Sequence, residues 1–282
     1  MSRILNIVKN IAVIYMRKIY GILVLLMMLC LGCQWQLKPN DDATNERSVT
    51  IQRYDRIENL YLTTGDFSAL QQMNTVFPMQ TRMLIEDVLQ LGKVNDRDIN
   101  SKFLNFFQDS TLQVMLADVQ QQYADMDDIN TELNVAFERL KEEMPDMELP
   151  EVYTQVGSFD QSIVVSNNTL GISLDKYLGK DYPFYVAHYT QEQRSMMDRN
   201  MIVPDCLGFY ILSLYPLSAE RMESQMERDM HMGKIQWIVN SVMERQVFNN
   251  AYVTLIADFM KENAKVSYAQ LLHHTDYSVF KK

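Results

Sequence analysis

Among the 282 residues, the one whose neighbours define a chemistry is Cys33. It closes the run Ile22-Leu-Val-Leu-Leu-Met-Met-Leu-Cys-Leu-Gly-Cys33, with Arg17 and Lys18 ahead of the apolar stretch and polar residues after it. A cysteine that follows a small residue at the end of such a run suits cleavage before its amine and acylation of its thiol. The stretch from Ile19 to Leu31 is about 13 residues, short of the roughly 20 that an apolar helix needs to span a bilayer. The expectation is a signal over residues 1–32, a lipid-anchored Cys33 and a domain held at a membrane of the cell envelope. Met16 directly precedes Arg17 and Lys18 and is the expected start of translation.

A second group is denser but less specific. Asp175, Tyr177, Asp181, Tyr182 and Tyr185 fall in one short stretch, and Asp205 follows. The two acids flank Gly179 and could hold a cation or a peptide amine; equally, they could cap turns around that glycine. The tyrosines, with Tyr189, could form an aromatic recognition surface, or their rings could pack a sheet against a helix. Asp205 stands near a helix start, where a negative charge is favourable. Cys206 lies in an apolar run with no nearby His, which suits a small buried hydrophobe better than a nucleophile. The histidines are His188, His231, His273 and His274, and only the last two are neighbours. Adjacent side chains on a helix point about 100° apart, a poor chelate. Beyond Cys33 the only cysteine is Cys206, so the chain after the signal has no CxxC, and HxxE and HExxH are absent throughout. No catalytic residue, metal ligand or cofactor is expected.

Composition sets the surroundings. The formal charge is −10. Loss of residues 1–32 removes Arg3, Lys9, Arg17 and Lys18, leaving 22 cations against 36 acids, a charge of −14. That excludes nucleic acid as a natural partner, since phosphate binding needs clustered Lys and Arg. Nine Gly and seven Pro are few for this length and favour long helices, while 20 Met suit an irregular core or an adaptable surface.

The elements that must position these residues follow from periodicity. Residues 33–50 read as an acylated cysteine and polar tether, and 51–282 as one globular domain. Helical spacing begins with Ile57, Leu60 and Tyr61, restarts at Asp66-Phe67-Ser68, and again at Phe77-Pro78, with Met83, Leu84, Val88 and Leu91 on one face and Gly92 as the stop. Thr111 to Tyr123 is a short helix. Asp127 to Met144 is amphipathic, with Ile129, Leu133, Phe137, Leu140 and Met144 in one stripe. After Pro150 three short β-like runs appear at 152–156, 161–165 and 170–174. Pro204 to Tyr215 is apolar almost all round and is expected to be buried on every side. Met222, Met226, Met230, Gly233 and Trp237 mark a long helix, and Tyr252 to Met260 another. A short helix spans Ser267 to Leu272. The fold class is α+β, mainly helical, with a small sheet of two or three strands among the helices.

The run Asn168-Thr-Leu-Gly-Ile-Ser-Leu-Asp-Lys-Tyr-Leu-Gly-Lys-Asp-Tyr-Pro-Phe-Tyr185 resembles the gliding motility-associated lipoprotein family, GldB, of the Bacteroidetes. Arg53-Tyr-Asp55, Leu91-Gly92, Phe103 to Phe107, Val156-Gly-Ser-Phe159, Met201-Ile-Val-Pro-Asp205 and Gly233-Lys234 fall in that family's order, so the resemblance spans roughly residues 50–240. It implies an envelope lipoprotein that acts in protein–protein contacts of the gliding or associated secretion apparatus. The family is similar in architecture to predicted zinc proteases in which an HExxH helix follows a small sheet. Here the helix in that place has neither His nor Glu. The resemblance therefore implies a degenerate, zincin-like, non-catalytic scaffold. A peptidase-like hydrolase with an unrecognised site, or a solute-binding lipoprotein, are the alternatives.

Overall fold

The chain enters its fold at Ile51–Gln52 (β1), which is two residues long and pairs in parallel with the first two hydrophobic positions of β2, Glu151–Gln155. A computed structural model describes residues 48–157 and 159–280. Cys33, the signal and the tether up to residue 47 lie outside the described residues.

Six helices separate β1 from β2: α1 (Tyr54–Thr64), α2 (Phe67–Thr75), α3 (Pro78–Arg82), α4 (Ile99–Phe106), α5 (Ser110–Gln122) and α6 (Asp127–Glu143). Their limits have local causes. Gly65 ends α1 at φ +68, a left-handed cap that glycine adopts without strain. The Asp66 carboxylate accepts the Ala69 N–H to start α2, and Pro78 occupies the first turn of α3. The segment then differs from the expected helix ending at Gly92. Met83–Val88 winds as a π-helix, and Gln90 at φ +51 breaks it two residues early. The wider turn still buries Met83, Leu84, Ile85 and Val88. Helix α4 has no counterpart in the sequence-derived elements. In α6 the stripe of Ile129, Leu133, Phe137 and Leu140 is buried as expected.

The sheet has four strands among the described residues, in the order β1-β2-β4-β3, with β3 at Ile163–Ser166 and β4 at Thr169–Ser173. This corrects the expected two or three: β1 is too short to show any alternation. Strands β1, β2 and β4 run parallel, and β3 pairs antiparallel with β4 as a hairpin over Asn167 and Asn168, both at positive φ. Gly171 has no side chain because the Tyr153 ring crosses it; an added Cβ would meet that ring's carbons at 2.6 Å.

Seven helices complete the described chain: α7 (Pro183–His188), α8 (Gln191–Arg194), α9 (Ile202–Leu214), α10 (Ala219–Met222), α11 (Gln225–Met243), α12 (Ala251–Glu262) and α13 (Tyr268–His273). Helix α9 packs on β3, β4, α6 and α11. It is not buried on every side: Ile202, Val203, Cys206, Leu207, Tyr210 and Ile211 are buried, whereas Phe209 and Leu214 are each 40 % exposed. Its neighbours cover only part of its circumference. The expected methionine helix is two helices. Ser224 caps α11 by accepting the Glu227 N–H, and Met222 and Met226 are exposed. Gly233 lets α11 and α12 touch, since a Cβ there would lie 2.6 Å from Tyr252 Cβ. Among the described residues no helix is long and apolar enough to cross a membrane.

Candidate functional site

Strand β2 leaves the sheet at Gln155, and three carboxyl groups meet there, two of them accepting backbone N–H groups. Asp55 on α1 accepts the Thr154 hydroxyl and is gripped through both oxygens by Arg53 at 2.8 Å. Glu58, one turn later, accepts the Val156 N–H at 2.9 Å. Asp175, on the 3₁₀ turn after β4, accepts the N–H of Gly157 at 2.7 Å and of Phe159 at 2.5 Å. All three acids are fully buried. Burial pushes the Glu58 carboxyl well above the usual carboxylate range, with the Val156 N–H opposing and the charges of Asp55 and Asp175 adding to the rise. Its Oε1 has no hydrogen-bond partner among the described residues. Burial also raises Asp175, against the N–H groups of Gly157 and Phe159 and the Lys176 charge. Sequence reasoning gives Asp55 a place in the family's order but no role, and passes over Glu58. The available signal was their phase: they share the buried face of α1 with Tyr54, Tyr61 and Leu62.

Of these acids, Asp175 alone reaches Phe159. Phe159 sits at φ +66, a conformation that costs a bulky side chain free energy. Its carbonyl accepts the Lys176 ammonium at 3.0 Å and the Tyr189 hydroxyl at 3.1 Å. Its ring stacks on Phe184 with centroids 4.0 Å apart. The Tyr185 hydroxyl donates to the Asp175 carbonyl and accepts the Leu178 N–H. The Tyr182 hydroxyl donates to Asp118 at 2.9 Å. Asp175, Tyr177 and Tyr185 are buried, so these residues do not share one exposed surface with Asp181, which is exposed and lies 3.7 Å from Arg194.

Two of the sequence candidates do meet. The Tyr177 hydroxyl donates to Asp205 Oδ2 at 2.8 Å, joining the turn after β4 to the first turn of α9. Burial pushes the Asp205 carboxyl up to about 6, with the Tyr177 hydroxyl opposing. Beyond it, a groove of about 170 Å³ opens between α9 and α11, lined by Asp205 and otherwise largely by apolar side chains. A wider depression of about 640 Å³ lies over α6 and the end of α11. Arg139, Arg199 and Arg245 form ion pairs there with Glu244, Asp128 and Glu132, so it is a solvated furrow.

The remaining reactive groups are spread through the fold. Cys206 is buried, and burial raises its thiol. His231 contacts the Tyr215 carbonyl at 2.7 Å, His188 the Phe184 carbonyl at 2.8 Å, and the rings of His273 and His274 pack on Tyr215 and Phe259. Among the described residues, no group of three or more His, Cys, Asp or Glu is placed to hold a metal ion. The chemistry on view is the fixing of backbone by buried acids, together with one carboxylate at the edge of an apolar groove.

Comparison with known proteins agrees with the residue pattern. The family model of a lipoprotein family, described as gliding motility protein GldB, matches residues 36–249. No curated protein matches the chain, and no solved structure does.

Proposed function

The chain belongs to the GldB family of gliding motility proteins, and from that premise we propose that it is a lipid-anchored envelope protein whose work is to bind other envelope proteins, without catalysis. Its partners are components of the gliding or associated secretion apparatus or, where a cell does not glide, of the general envelope. The observation that carries this reading is the Gly32-Cys33 signal followed by a domain of this family.

The non-catalytic part rests on α9. We read the sheet and α9 as a zincin-like arrangement that has lost its ligands. Where such a helix would present two His and a Glu, α9 presents Asp205, Cys206 and apolar residues. The binding part rests on the largely apolar groove between α9 and α11, where Met196 and Phe209 stay exposed.

The test uses the full chain in its own envelope. Cys33→Ser should end incorporation of a palmitate analogue and release the protein from membranes; continued labelling overturns the anchor. Tagged protein solubilised from the envelope should carry a reproducible protein partner. A stoichiometric zinc ion in the purified protein, with peptidase activity, would overturn the non-catalytic reading.

A further inference from the structure

Helix α9 is apolar almost all round, yet the face carrying Asp205, Gly208, Phe209 and Leu212 is left uncovered along the groove against α11. Gly208 lines the groove, and a Cβ built there would meet nothing within 4 Å, so a larger side chain at this position would project into open space. A volume of about 170 Å³ accepts one benzene-sized group; about 150 Å³ suffices for benzene in an apolar protein cavity.

One end of this groove is charged. Asp205 Oδ2 is taken by Tyr177, and Oδ1 has no hydrogen-bond partner among the described residues. No Lys, Arg or His is within ion-pair distance of Asp205 among the described residues. A partly desolvated carboxylate with no counter-charge attracts an incoming cation more strongly than an exposed one does. The chain's charge of −10 also raises the local concentration of cationic partners.

We propose that the groove between α9 and α11 docks a partner polypeptide through one bulky apolar side chain seated over Gly208 and a neighbouring lysine or arginine paired with Asp205. This rests on the reading that the protein works by binding another protein, and it names the face and the chemistry of that partner. The two requirements reinforce each other. The apolar group excludes water from the carboxylate, and the ion pair fixes the direction of the bound segment.

The probe is a water-soluble 12-residue peptide of Ser, Ala and Gly with one Phe followed by one Lys. It is titrated against the full lipoprotein in nanodiscs, with empty nanodiscs as reference. The Lys peptide should bind at least tenfold more tightly than versions with Glu for Lys or Ala for Phe. Gly208→Leu should abolish binding while leaving the circular dichroism spectrum unchanged, and Leu212→Gln at the rim should weaken it. Asp205→Asn should erase the difference between the Lys peptide and its Gln counterpart. Equal binding of the Lys and Glu peptides, undiminished binding to Gly208→Leu, or no binding at millimolar peptide overturns the proposal. If partner capture from the envelope survives Gly208→Leu, the groove assignment falls and the protein-binding reading stands. If no form of the protein captures a partner, that reading falls.

Discussion

Asp175 holds Phe159 in a left-handed backbone conformation, its Oδ2 accepting the Phe159 N–H at 2.5 Å while Oδ1 accepts that of Gly157. One carboxyl group thereby satisfies two backbone donors in a loop that no strand or helix serves. Asp175→Ala should cost about 3 kcal/mol, the order expected when buried donors lose a charged acceptor. Asp175→Asn should retain part of this. Hydrogen exchange at the Gly157 and Phe159 amides is the direct readout; unchanged protection in the alanine variant would show that other groups hold the loop.

The burial of Asp205 sets a pH dependence, which its bond from Tyr177 opposes. Burial raises the Asp205 carboxyl to about 6, above its unfolded value. The folded state therefore binds this proton more tightly than the unfolded chain does. The stability it contributes is fully present below the ordinary carboxylate range and is lost as pH rises through about 6. Asp205→Asn does not titrate. Relative to the parent, it should gain about 1–2 kcal/mol between pH 4 and pH 7. Calorimetry of both proteins across that range checks it, and a constant difference would contradict the burial of Asp205.

Two helical glycines should respond oppositely to alanine. At Gly233 the new Cβ would lie 2.6 Å from Tyr252 Cβ and 3.2 Å from its carbonyl carbon, so α11 and α12 would have to part. Gly233→Ala should cost about 1–3 kcal/mol. At Gly208 the Cβ meets open space, and Gly208→Ala should be neutral or stabilise the protein by up to about 1 kcal/mol through helix propensity. Chemical denaturation of the two variants separates these outcomes.

Cys206 should be inert in the folded protein. Its side chain is buried and its thiol is raised, so little thiolate forms at neutral pH. Alkylation mapped by mass spectrometry should reach Cys206 only in denaturant. Rapid labelling under native conditions would mean that α9 opens.

Much of the helical framework could be read residue by residue. The stripe on α6 and the caps at Asp66 and Pro78 depend on groups within a turn of one another, so their signals are local. Three features were not legible for corresponding reasons. Strand β1 exists only because Ile51 and Gln52 find Val152 and Tyr153, about a hundred positions away. The π-helical segment keeps its buried side chains while changing the winding, which periodicity alone does not report. The uncovered face of α9 looks apolar in sequence like the covered one, because exposure is decided by neighbours.

The same division holds for function. The sequence by itself determined the acidic charge, the missing HExxH, the family order of residues and the expectation of an anchor at Cys33, all of which follow from type and spacing along the chain. Only the tertiary structure decided that Asp55, Glu58 and Asp175 converge on the end of β2, and that Tyr177 reaches Asp205 beside a groove lined by Gly208. Those relationships join residues far apart in the chain. They arise where the burial of a common apolar core brings separate elements together, and each buried polar group must then find its partner there.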